Sequence, residues 1–245
     1  MIRYIKADLY RIFGRGSRFV TLGAFLGVFA AILWTLADSR TPYEMVEMMT
    51  KIMSYICPLF GLVEFGVVIG DDLKAKTMQI AIGTGVSRKK VILAKWFEMI
   101  FLTALDMTVF VAITYVIGRI RGVVFDGEPL RDIIILAVFA LVQLAGAVML
   151  TFIVVFHTMN SNLGTVAYIV TAFGIFGFIC EAVITIGPLD QLHLDSYLFS
   201  PLLEAAKARM IIGTVSIPHI VGCAAYLVLF YILACAAFKK VELEF

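Results

Sequence analysis

The chain has 245 residues, 62% hydrophobic and 16% charged, with a mean hydropathy of +1.00. Soluble domains are nearer ~45–50% apolar and ~25% charged, so this composition excludes a soluble cytosolic enzyme, a secreted disulfide scaffold and a disordered chain. The net charge of +2 implies no polyanion-binding stripe and no nucleic-acid partner, which leaves an integral membrane protein.

The first 13 residues predict an amphipathic helix. Ile2, Ile5, Leu9, Ile12 and Phe13 fall on one face, with Arg3, Lys6, Asp8 and Arg11 outside it. Such a segment lies in the membrane interface, and Gly14 and Gly16 break it before the first apolar run. Six runs reach the roughly 20 apolar residues a membrane helix needs: 19–37, 52–70, 97–118, 133–156, 163–186 and 214–238. The first exceeds the ~7–15 apolar residues of a signal peptide, so it is read as span one. Thr41, Pro42 and Glu44 form a capping-box pattern with Pro at the first helical position. Span two therefore begins outside the membrane, and Pro58 is expected to kink it.

Segment 71–96, between spans two and three, reads as helix, turn, helix. Asp71 and Asp72 lead the first helix, with Leu73, Thr77 and Ile80 on one face and Gly83 to Gly85 ending it. Ser87 caps the next helix, which runs through Arg88 into span three. No Walker A pattern occurs here or elsewhere, because Gly83 to Lys89 lacks the Gly-Lys-Ser/Thr end. ATP, if used, must bind another chain. Segment 187–213 holds a helix started by Ser200 and Pro201, continued over 202–210 and stopped by Gly213. Leu202, Leu203, Ala206 and Met210 give it an apolar side.

Six spans place both termini on one side. That side carries 13 Lys and Arg against 7 on the other, so the termini are expected in the cytoplasm. Cys57, Cys180, Cys223 and Cys235 all lie within runs, as apolar packing residues without disulfide or zinc spacing. Asp71 and Asp72 are the nearest approach to a metal site, with no further acid or His beside them.

Charges within a membrane are costly, and each is a functional candidate by default. Glu98 sits one residue inside span three and is expected to snorkel and pair with Lys95. Glu64, Asp106 and Glu181 either have structural hydrogen bonds, for Asp106 from Thr103 or Thr108, or line a translocation pathway. His219 shares the depth of Glu181, and the two are expected to interact. Gly23 with Gly27, and Gly66 with Gly70, permit close helix packing without locating an interface.

With six spans and a basic amphipathic N-terminus, the pattern Asp71-Asp72, Lys76-Thr77, Gly85-Val-Ser-Arg88 and Lys95 resembles the permease subunits of type-2 ABC exporters. It departs from them at Lys76, where the family often has Gly, and at Thr84-Gly85, where Thr-Pro or Ser-Pro is frequent. The chain is similar in size to the small permeases of bacterial antimicrobial-peptide immunity and export systems. The resemblance implies one all-α transmembrane domain over 1–245, with an elbow helix in 1–18, a coupling helix in 71–96 and an outer helical piece in 187–213. Two permease subunits would pair as a homo- or heterodimer in the bacterial cytoplasmic membrane. Separate ATPase subunits, carrying ATP and Mg, would dock on Asp71, Asp72, Leu73, Lys76, Thr77, Met78, Gln79, Ile80 and Arg88. This chain would itself be no enzyme and bind no cofactor, and its substrate would be an amphipathic peptide or lipid. No His-Glu-x-x-His or Gly-x-Ser-x-Gly pattern supports an intramembrane enzyme. An ion-coupled secondary transporter using Glu64, Asp106 and Glu181 is the alternative.

Overall fold

The computed structural model describes residues 2–37, 41–123, 127–186, 194–239 and 241, and among these all regular structure is helical. Helix α1 (Ile2–Phe13) is separated from α2 (Gly16–Leu36) by extended Arg15, at the break the two glycines predict. Helix α3 (Pro42–Phe65) opens on the complete capping box. Thr41 Oγ1 accepts from the Glu44 amide at 3.4 Å, and Glu44 Oε2 accepts from the Thr41 amide at 2.7 Å.

The C-terminal end of span two differs from the sequence expectation. Asp71 and Asp72 do not begin a new helix. Instead α3 runs on through a π-helical turn (Gly66–Gly70) into α4 (Asp71–Lys74). No capping residue or proline interrupts it there. The break comes at Lys76, whose φ of 55° lies in the left-handed region. That backbone costs a side-chain-bearing residue roughly 1–2 kcal/mol and suits glycine. A separate short helix, α5 (Thr77–Gly83), follows. The expected common face of Leu73, Thr77 and Ile80 is therefore split between two helices. Met78 and Ala81 turn inward, while Ile80 is 62% exposed. Ser87 occupies the N-cap of α6 (Arg88–Ile120), but its side chain makes no capping bond.

Helix α7 (Glu128–Thr158) packs against α3, α6 and the helices that follow it. Span five is not a straight helix. It divides into α8 (Ser161–Ala172), capped by Asn160, and α9 (Ile175–Ile186), bent 59° from α8. Gly174 at the bend has φ +78°, which its lack of a Cβ permits. Helix α10 (Phe199–Ile211) precedes α11 (Ile217–Lys239), with the φ +83° of Gly213 between them. Residues 187–193 of the predicted outer segment lie outside the described residues.

Helix α10 does not lie loosely on the surface. Phe199 sits against Gly146, midway along α7, where any Cβ would collide with its ring. Phe199 also meets Tyr226 and Phe230 of α11 edge-on, and Tyr226 donates to the Tyr197 carbonyl at 2.9 Å. Leu203 and Ala206 are buried as expected, but Met210 is exposed.

Five helical segments are long and apolar enough to cross a membrane, and the bent α8–α9 pair makes six if it is one span. The chain is thus an all-helical, membrane-embedded protein. Helix α6 has 33 residues, about 50 Å, against a hydrocarbon core of ~30 Å, so it projects beyond the apolar zone. The core is aromatic, with Phe60 edge-on to Phe110 and Phe156 stacked on Phe238. Tyr168 is fully buried and donates to the carbonyl of Pro58, through which α3 continues unbroken. The four cysteines are free, with Cys57 and Cys223 buried.

Candidate functional site

Two polar features stand out from this apolar bundle. The first is a line of charges leading inward from α1. Arg11 Nε donates to Asp8 Oδ1 at 2.7 Å, and Arg11 Nη2 donates to Asp72 Oδ1 at 2.5 Å. Lys95 of α6 pairs with Asp8 and Asp72 and lies 3.2 Å from Glu98. Arg15 pairs with Asp71. Deeper, Arg18 Nε donates to Glu64 Oε1 at 2.7 Å and its Nη2 to Asp106 Oδ1 at 3.3 Å. The Arg18 guanidinium lies 5.3 Å from the ring centroids of both Phe13 and Phe19. Lys95 and Asp106 are 11 residues apart on α6, about 16 Å along the axis.

These ten side chains tie α1, α2, α3, α4 and α6 together. Four cations meet six carboxyls, so two carboxyls lack a full countercharge. Glu64 Oε2, Glu98 Oε1 and Asp106 Oδ2 are buried without a hydrogen-bond partner. Neither threonine proposed for Asp106 reaches it. Thr103 donates to the Met99 carbonyl and Thr108 to that of Ala104. The Lys95–Glu98 pair forms as expected, but both side chains are fully buried rather than snorkelling outward.

The amphipathic reading of α1 is half right. Ile12 is buried, but so is Asp8, from the face expected to meet water. Asp8 and Arg18 were not singled out by sequence as parts of a site, and Lys95 was expected only to pair with Glu98 and as part of the pattern ahead of span three. The available signal was the pair of span acids, Glu64 and Asp106, which required a cation. Arg18 stands at the mouth of span one.

Outside the spans, charge and burial set the protonation of α1. Burial pushes the Asp8 carboxyl up, but Lys95 and Arg11 outweigh this and hold it below its usual 3.8. Burial raises the Tyr4 phenol to about 12, against the opposing pull of Lys95. A depressed acid contributes stability above its unfolded value and loses it as pH falls through its folded value. A raised phenol contributes below its unfolded value and loses it as pH rises. Docking of α1 is therefore expected to hold through neutral pH. It should weaken below 3.8 as Asp8 protonates, and again between 10.0 and about 12 as Tyr4 ionises. A spin label at Arg3→Cys, with the four native cysteines replaced by alanine, should gain mobility only in those two ranges.

Of the predicted coupling residues, the structure leaves Lys76 and Ile80 exposed and Leu73, Thr77 and Gln79 partly covered. Met78 is buried, and Asp71 and Asp72 belong to the charge line. Arg88 is committed elsewhere. It donates to the carbonyls of Phe238 and Val241 and stacks on the Phe238 ring, closing the C-terminal end of α11.

The second feature is a cavity of about 390 Å3 beside the α8–α9 bend, between α7, α10 and α11. Glu181 lines it. His219 does not meet Glu181. It shares a hydrogen bond with Ser216 at 2.5 Å, and no hydrogen bond or ion pair joins the two expected partners among the described residues. No cluster suited to a metal ion occurs among the described residues. No family model and no curated protein matches the chain.

Proposed function

We propose that this chain is the permease subunit of an ATP-driven type-2 ABC exporter of the bacterial cytoplasmic membrane. Both termini are cytoplasmic, α1 is the interfacial elbow helix, and α5 is the coupling helix. The cargo is an amphipathic peptide or lipid. ATP and Mg bind a separate ATPase subunit, and this chain catalyses no reaction. The observation that carries the reading is α5 itself. It is a short helix between two long membrane helices, with the apolar side chain of Ile80 held out and Lys76 exposed beside it. An exposed apolar residue on a rigid element suits a groove on a partner.

Motion of α5 passes to α4, which is continuous with α3, and through the charge line to α1 and α6. A second permease subunit has a surface available on α2. There Gly23 and Gly27 have open space where a side chain would project, and most of the helix is uncovered. The surplus carboxyls of the charge line favour the alternative of an ion-coupled carrier, in which Glu64 and Asp106 bind the ion.

Ile80→Asp separates the two. It should leave membrane insertion intact and change stability by no more than about 0.5 kcal/mol, because the side chain is exposed. Loss of an apolar anchor of about 2 kcal/mol should weaken ATPase docking by more than tenfold. Co-purification and vesicle efflux measure this, and undiminished efflux would count against α5 as the coupling helix.

A further inference from the structure

The cavity beside the α8–α9 bend combines features that specify a ligand. Phe176, Phe178, Phe199 and Phe230 line it together with Glu181 and Glu204. Its 390 Å3 lies at the low end of the ~300–1,000 Å3 usual for small-molecule sites. The two acids differ. Glu204 is paired with Lys207 at 2.5 Å, whereas Glu181 has no cation among the described residues. Aromatic faces attract cations through their quadrupoles, and an unpaired carboxylate adds full charge to the same wall. Aromatic groups beside a single uncompensated carboxylate complement an alkylammonium head with an apolar chain.

We infer that this cavity binds cationic amphiphiles, with the ammonium group at Glu181 and the chain against the phenylalanines. The site deepens the transport reading by naming the class of cargo, and it rests on that reading only for the role of cargo. Binding itself requires neither the ATPase nor ATP. The first turn of α10, Phe199 to Pro201, also borders the cavity, and the free amides of Phe199 and Ser200 favour an anionic group instead. The sign of the preferred head group therefore decides between Glu181 and the helix end.

The test uses the full chain purified in dodecyl maltoside, a neutral competitor with a 12-carbon chain. Native mass spectrometry counts bound dodecyltrimethylammonium or dodecyl sulfate as each is added. The wild type should bind the cation about tenfold more tightly than the sulfate, in line with one exposed ion pair plus cation–π contact. Glu181→Gln should bring the two within about threefold. Gly177→Phe projects a ring toward Ser200 and into the cavity, where a Cβ has ordinary room, and should abolish the preference by occlusion. Equal binding of both probes to the wild type, tighter binding of the sulfate, or an unchanged preference in Glu181→Gln would overturn the inference. The wild-type comparison stands even if a variant fails to fold. Failure here with intact ATPase coupling would leave the exporter reading in place; success without any ATPase would support the site alone.

Discussion

Arg18→Leu is expected to cost about 3–5 kcal/mol of stability, the usual penalty for stranding buried charges. Arg18 is 3% exposed and bridges Glu64 on α3 to Asp106 on α6, at 2.7 and 3.3 Å. Those carboxyls lie 46 and 88 residues away in the chain, and each already has one oxygen without a hydrogen-bond partner. Leucine would leave both facing an apolar wall. The loss should be strongly non-additive. In the triple variant Arg18→Leu, Glu64→Leu, Asp106→Leu no charge remains to be stranded, and stability should return to within about 1–2 kcal/mol of the wild type. Reversible denaturation in mixed micelles gives both numbers. Wild-type stability in Arg18→Leu would show that the bridge contributes nothing.

Lys95→Met should have a comparable effect, about 3–5 kcal/mol, for a related reason. Lys95 is fully buried and contacts Asp8, Asp72 and Glu98 at once, and its ammonium lies 5.4 Å from the Tyr4 ring centroid. Methionine fits the volume but supplies no charge. Arg11 still serves Asp8 and Asp72, so Glu98 is the group left stranded. Adding Glu98→Gln should therefore recover part of the loss. Because α1 meets Lys95 through Asp8 and Tyr4, the same variant should free the N-terminal helix. The spin label at Arg3→Cys should become mobile at neutral pH, where the parent is immobile. A rigid label in Lys95→Met would mean that the remaining contacts, Arg11 to Asp72 and the apolar packing of Leu9 and Ile12, suffice to hold α1 down.

Local signals made much of the scaffold legible. The glycines at 14 and 16, the capping box at Thr41 and the stop at Gly213 act within a few residues, and each marks the boundary found in the structure. The bend at Gly174 was not legible, because one glycine within a long apolar run does not distinguish a straight span from a bent one. The left-handed break at Lys76 was equally hidden, since lysine carries no preference for that conformation. The charge line was legible only as separate ingredients. Arg11, Arg15, Arg18 and Lys95 read as cytoplasmic charge because their partners are brought close by helix packing. Glu181 and His219 show the converse, since equal depth does not imply equal azimuth around the bundle. His219 meets Ser216 one turn away on its own chain segment, and Glu181 faces the cavity.

Affinity purification from the native host in mild detergent, with identification of every co-purifying chain, is the most direct test of the central proposal. The exporter reading predicts a stoichiometric partner carrying a Walker A motif, vanadate-sensitive ATP hydrolysis in the complex, and loss of that partner in Ile80→Asp. A chain that purifies alone, under conditions that keep other membrane complexes intact, would contradict it. Glu64 and Asp106 would then become the first residues to examine for ion coupling.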